Sequence, residues 1–215
     1  MSDIDIKGVP NNSPEINKIR IGKSITIIPS WAKNLHQEDE IQIRIKAFKA
    51  FGDGKHPTTK LCLMYLERHL KPSESLLDIG TGTGILSITA AKLGADPILA
   101  IDNDPEAVNV AEMNVVLNRL EDRVKVLYGS IDQVTISNFV QTQFTHVVAN
   151  ISSKGIHSLF EDQLVKTIEP NGFLILTGFL RMQSPSIRAR LIWNDLVIAA
   201  EERLDDWICI VAKKT

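Results

Sequence analysis

The stretch LLDIGTGTGILS, residues 76–87, sets glycines at every second position, Gly80, Gly82 and Gly84, directly after an apolar run. A glycine turn joining a buried strand to a helix lets backbone approach a ligand closely, and the helix start presents free N–H groups to it. Dinucleotide sites use G-x-G-x-x-G with an acid about 20 residues later. Here Ile85 stands where that pattern wants its third glycine. The turn therefore predicts an adenosine-type ligand and leaves open whether it serves hydride or group transfer.

The residues around this turn alternate between strand and helix signals. Strands are expected at 75–79, 97–102, 123–127, 144–150 and 173–177, with helices at 84–93, 105–118 and 155–168. Alternation at this spacing specifies a parallel sheet with helices on both faces. Upstream, Pro57-Thr58-Thr59 starts another helix that the breaker KPSE (71–74) ends. SITIIP (24–29) and IQIRIKAF (41–48) read as two short strands. LVIAAEERLDDWICIVAKK (196–214) holds two strand runs joined by a turn too short for a crossover, so they should pair antiparallel.

The 215 residues are 44% hydrophobic and 23% charged, enough for one well-buried domain. No apolar run approaches the ~20 residues of a membrane span. The polar start MSDIDIKGVPNNSPE has no signal-peptide core, and a cytoplasmic protein is expected. Cys62 and Cys209 have no metal-ligand neighbours in sequence, so reduced structural thiols and no metal are expected. A net charge of −2 argues against a dedicated nucleic-acid binder. Residues 41–71 nevertheless carry seven Lys or Arg against Asp53 and Glu67, as either a solvated face or an acceptor surface beside Trp31.

Ligands of open α/β sheets sit beyond the carboxyl ends of the strands. The ends to read are Asp78 with the turn Gly80-Thr81-Gly82-Gly84, then Asp102 and Asn103. Next come Ser130 and Ile131 after Gly129, and Asn150 in HVVANISS. Asp102, 22 residues beyond Gly80, is placed to accept both ribose hydroxyls, whereas Asp104 suits a helix cap. Ser130 and Ile131 fit either an adenine edge or an ordinary turn. Asn150 offers an uncharged oxygen able to hold an amine. His146, at the start of its strand, should lie away from the cleft.

FGDGKHPTTKLCL (51–63) before LLDIGTGTGILSITAAKLGA, followed by AIDNDPEAVNVAEMN and VVANI, resembles the PrmA family of ribosomal protein L11 methyltransferases. The likeness runs from about Ile19 to the C-terminus. It implies S-adenosylmethionine as cofactor and S-adenosylhomocysteine as product. It also implies the doubly wound, Rossmann-like seven-stranded α/β sheet of class I methyltransferases, with an antiparallel last strand and a short N-terminal β extension. By resemblance, Phe51, Thr58 and Thr59 lie at the methionine end, Asp102 at the ribose, and Asn150 at the methyl group. His56 falls in the same motif, as base or loop brace.

The expected organisation is a mobile tail over 1–17, a strand extension with a cofactor-covering loop over 18–56, and the methyltransferase domain over 57–215. Family members carry a separate N-terminal domain that grips the ribosomal protein, and this sequence offers only the tail there. The acceptor is thus open between a ribosomal protein, another protein amine and a small-molecule amine. Two other classes stay in view: a nicotinamide oxidoreductase and a catalytically silent cofactor-binding module.

Overall fold

The computed structural model describes residues 18–32, 40–46, 50–131 and 142–215, so the tail expected over 1–17 and Lys49 of the basic stretch lie outside the described residues. Two sheets form. The first is three-stranded: β1 (Ile19–Ile21) runs antiparallel to β2 (Ile25–Pro29), which pairs parallel with β3 (Ile41–Ile45).

The second sheet holds β4 (Leu76–Ile79), β5 (Ile98–Asp102), β6 (Val124–Tyr128), β7 (Phe144–Asn150), β8 (Ile168–Leu180), β9 (Leu196–Leu204) and β10 (Trp207–Lys214). Its order is β6-β5-β4-β7-β8-β10-β9. The five strands from β6 to β8 are parallel, and β10 enters antiparallel to both β8 and β9. This is the seven-stranded arrangement that the resemblance implies.

The central strands read as continuous apolar runs because both faces are covered. One face carries α1 (Pro57–His69), α2 (Ile85–Lys92) and α3 (Pro105–Leu117), and on it Leu61, Leu63, Leu76, Ile88 and Ile98 pack against Ile25, Ile27 and Ile43 of the small sheet. The other carries α4 (Ser153–Glu161) and α5 (Ser184–Trp193), burying Phe144, Val147, Leu176, Phe179 and Ile187. Cys62 and Cys209 are free and buried, and each thiol lies within hydrogen-bonding reach of the other. Among the described residues no helix is long and apolar enough to cross a membrane.

The small sheet is joined to the large one by polar side chains as well as by packing. Asn114 and Asn118, one helical turn apart on α3, act toward the edge of β3 as a strand would. Asn118 accepts from Arg44 N at 3.0 Å and donates to Arg44 O at 2.7 Å. Asn114 does the same for Lys46, at 2.9 and 3.2 Å. From α1, the Glu67 carboxylate accepts the backbone N–H groups of Lys23 and Ser24 in the β1–β2 turn. Those bonds hold Glu67 below the usual carboxylate range against the opposing effect of its partial burial.

Several elements differ from the sequence expectation, and the helix Ser184–Trp193 stands where none was expected. The helix expected over 155–168 stops at Glu161, because Gln163 adopts a left-handed conformation (φ 69°), and a 3-10 turn (Leu164–Thr167) follows. The strand expected over 173–177 extends to Ile168–Leu180. Its turn-like Pro170-Asn171-Gly172 is absorbed where the pairing of β7 with β8 shifts register. β1 is only three residues long and carries no periodic signal.

His146 lies near the start of β7, so Asn150 at its other end is about 13 Å away at ~3.3 Å per residue. Its ring is 1% exposed, stacks on Phe173 and has no hydrogen-bond partner, with Glu74 Oε2 3.7 Å from Nδ1. Burial lowers its pKa below the ordinary histidine value, against the pull of Glu74. Such a group contributes fully above the unfolded value of ~6.5 and less as pH falls through the folded value. Measured by urea denaturation, the stability of the parent relative to His146→Phe, which keeps the stack, is therefore expected to fall between pH 7 and pH 5.

Candidate functional site

The turn after β4 is shaped by what a Cβ would strike. Gly82, at φ 56°, has the Phe51 carbonyl oxygen 2.4 Å from the place a Cβ would occupy, and at Gly80 (φ 71°) the Ile151 side chain is 2.5 Å away. Three chain segments therefore meet at spacings that only glycine permits. Ile101 O accepts from both Gly80 N and Thr81 N, fixing the start of the turn to β5. Asp102 accepts from Gly82 N at 2.9 Å and from Asp104 N at 3.0 Å, so its carboxylate faces the turn.

Beyond these strand ends lies a cleft of about 450 Å³. Of the residues proposed from sequence, Phe51, Thr58, Gly80, Gly82, Asp102, Asn103 and Asn150 are in its wall. Thr59, Asp78, Thr81 and Gly84 stand behind it, buried. Thr59 meets Asn150, and Gly84 starts α2 where the helix packs against Ala111. Ile131 is fully buried in the core, and Ser130 is half-buried outside the wall. Asp104, the competing acid, caps α3 by accepting from Glu106 N while also reaching the cleft rim.

Asp78 is a buried carboxylate with a specific task. Its Oδ2 accepts from Thr81 Oγ1 at 2.7 Å and from Ser87 Oγ at 2.8 Å, tying strand, turn and helix together. Desolvation pushes its pKa up to about 6, the two hydroxyls oppose the rise, and nearby Asp102 adds to it.

At the other end of the cleft Asn150 Nδ2 reaches Thr59 Oγ1 at 3.5 Å, while Oδ1 is buried with no partner. His56 caps α1: its Nδ1 accepts from Thr58 N and sits 2.8 Å from Thr58 Oγ1. With Nδ1 accepting, the neutral ring carries its proton on Nε2. The imidazole stands edge-on to Phe51 (centroids 5.2 Å apart) and to Trp207 (4.6 Å). Together they give the cleft an aromatic side.

Trp207 and Gly178 line the cleft and were not found from sequence. Trp207 arrives through the antiparallel insertion of β10, a long-range pairing with no local signature. Gly178 did carry a signal, since a glycine within a strand marks close backbone approach. Its missing Cβ would lie 2.2 Å from Ile151 O, so Gly178 leaves room for the backbone that follows Asn150.

Trp31 is 60% exposed rather than core, over a hollow it shares with Ile27, Ile45 and Lys55. The basic stretch is partly neutralised: Lys55 pairs with Asp53 at 3.5 Å, and Arg68 with Glu202.

A family model described as Ribosomal protein L11 methyltransferase (PrmA) matches residues 11–215. A ribosomal protein L11 methyltransferase of Listeria welshimeri is 36% identical over 196 residues, covering 91% of this chain and 61% of that protein. The Chloroflexus aurantiacus protein of that name is 34% identical over 215 residues, covering 91% and 65%. The chain thus spans about 61% of the length of the Listeria relative. A solved ribosomal protein L11 methylase of Lactobacillus delbrueckii subsp. bulgaricus superposes with a TM-score of 0.81 at 30% identity, over 92% of this chain and 99% of that one. M. capricolum TrmK, solved with S-adenosyl-homocysteine, shares the fold alone: TM-score 0.59 and 18% identity over 71% of this chain and 67% of that one.

Because the folded pKa of Asp78 lies above its unfolded value, the buried acid favours the fold most at low pH and loses that advantage as pH rises through about 6. Above that point the Ser87 hydroxyl matters most. Ser87→Ala is expected to cost about 1–3 kcal/mol at pH 8 and distinctly less at pH 5, measured by urea denaturation.

Proposed function

The chain belongs to the ribosomal protein L11 methyltransferase (PrmA) family, and from that membership we propose that it transfers a methyl group from S-adenosylmethionine to an amine of a protein acceptor, with ribosomal protein L11 the first candidate. The observation that carries this reading is Asn150 Oδ1, buried and unpaired in the wall of a cleft whose far end holds the Asp102 carboxylate. The family identity displaces the nicotinamide alternative, and Ile85, in the third-glycine position, is a core residue of α2.

The cleft suits such a cofactor on its own chemistry. Gly80 and Gly82 form a cradle that a Cβ would fill, and Asp102 offers acceptors for two ribose hydroxyls. Asn103 extends the wall beside Asp102, whereas Ser130 and Ile131, expected along the adenine edge, lie outside that wall. Phe51, Thr58 and the first turn of α1 border the methionine end, with Thr59 behind Asn150. Asp78, Thr81 and Gly84 act from behind the wall by holding the turn in shape.

When bound, the cofactor supplies a methyl carbon on a positively charged sulfur; displacement there forms a C–N bond, breaks the S–C bond and leaves S-adenosylhomocysteine. What remains for the protein is alignment and exclusion of water. Asn150 Oδ1 accepts one N–H of the incoming amine, which points the nitrogen lone pair away from it, and Phe51 and Trp207 flank the amine. The proton released on methylation leaves to solvent, since His56 Nδ1 is occupied by Thr58. A ribosomal-protein substrate places this reaction in the cytoplasm.

The decisive experiment adds labelled S-adenosylmethionine and isolated ribosomal protein L11 to the purified chain, with a cell lysate as a second acceptor source. Incorporation into an amine supports the proposal, whereas binding of NADH but not of S-adenosylhomocysteine in a calorimeter would overturn it.

Asp102→Ala is expected to weaken S-adenosylhomocysteine binding by about tenfold to a hundredfold, and Asp104→Ala by less. Asn150→Ala should lose turnover with little change in that affinity. Rates should climb between pH 7 and pH 9, because a lysine of pKa ~10.4 must lose its proton before it attacks.

A further inference from the structure

Where the glycine turn meets the segment carrying Phe51 stands a fully buried polar residue, Thr83. Its N–H donates to Phe51 O at 3.0 Å and its hydroxyl to Gly52 O at 2.7 Å. Its carbonyl accepts from Asn114 Nδ2 at 2.9 Å, the same amide that bonds Lys46 at the end of β3. Thr83 thus uses every polar group it has to join the turn to both ends of the segment running from β3 to Phe51. Gly52, at φ 109°, is a close fit: a Cβ there would lie 2.6 Å from Thr83 Oγ1.

We propose that Thr83 is a positioning residue that sets the aromatic, acceptor-side wall of the cleft relative to the glycine turn, and so fixes the separation between methyl donor and amine. This rests on the methyltransferase reading above. Phe51 lies edge-on to His56, and His56 to Trp207, so displacing the Phe51 backbone moves the first member of that wall. The turn, by contrast, keeps its own anchors in Ile101 O, Asp78 and Asp102 when the hydroxyl is removed. Loss of the hydroxyl therefore disturbs the Phe51 side of the cleft more than the turn. In-line displacement punishes that kind of error, since a misplacement of about 1 Å costs around a hundredfold in rate.

Thr83→Val keeps the shape and removes the hydroxyl, and Thr83→Ser restores it. The expected result for Thr83→Val is a kcat on isolated ribosomal protein L11 at least about tenfold lower, with S-adenosylhomocysteine affinity falling by distinctly less, because Phe51 also borders the methionine end while the turn keeps its anchors. Thr83→Ser should recover most of the kcat. Hydrogen exchange of the peptide spanning residues 50–56 should be faster in Thr83→Val alone. Equal exchange in all three proteins overturns the proposal, whatever the acceptor proves to be. So does an S-adenosylhomocysteine affinity that falls as far as kcat, or a kcat unchanged in Thr83→Val. Failure of the methyltransferase reading looks different: the parent protein itself neither binds S-adenosylhomocysteine nor transfers a methyl group.

Discussion

The contact between the Phe51 carbonyl and Gly82 governs how this molecule is put together. A carbonyl oxygen sits where a side chain would begin, which only glycine allows, and it is held there by the N–H of Thr83. From this point the chain continues upstream into the small sheet and downstream into the first turn of α1, while β4, the turn and α2 lie beneath. Six of the fifteen described residues that line the cleft are placed by these segments. A side chain at position 82 would therefore displace the loop above the turn as well as crowd whatever the turn holds.

Polar side chains, buried at Asn114 and part-buried at Asn118 and Glu67, do much of the joining. Asn114 and Asn118 satisfy the edge of β3, and Glu67 satisfies the turn between β1 and β2. Unpaired backbone groups at those positions would carry a desolvation cost of about 1–3 kcal/mol each. The small sheet consequently shares the core of the larger one on its α1–α3 face. Its residues belong to the architecture of the cleft although none of its three strands lines it.

Much of this was legible in the sequence because it is local. Strand, glycine turn and helix follow one another within a dozen residues, and the acids and the amide at the strand ends follow from the rule for open sheets. Asp102 and Asn150 stand where that reasoning puts them, at the ends of β5 and β7. What escaped is long-range or conformational. Trp207 reaches the cleft through a strand inserted between two others, Thr83 through partners about thirty residues away, and the end of α4 through an unannounced left-handed glutamine. The proline, asparagine and glycine inside β8 read as a break because their absorption into a bulge depends on β7.

The reversed direction of β10 has a consequence for synthesis. Parallel strands bring residues to the cleft at their C-terminal ends, but an antiparallel strand brings its beginning, and here that beginning is Trp207 of β10, made after every other described strand of its sheet. A nascent chain can collapse β4, β5 and β7 around the glycine turn while β10 is still inside the exit tunnel. At that stage His56 lacks its indole neighbour and β8 lacks one of its partners. The cleft is closed on its aromatic side only once β10 has emerged and paired, so a strand made after the glycine turn, β5 and β7 is the one that completes the site.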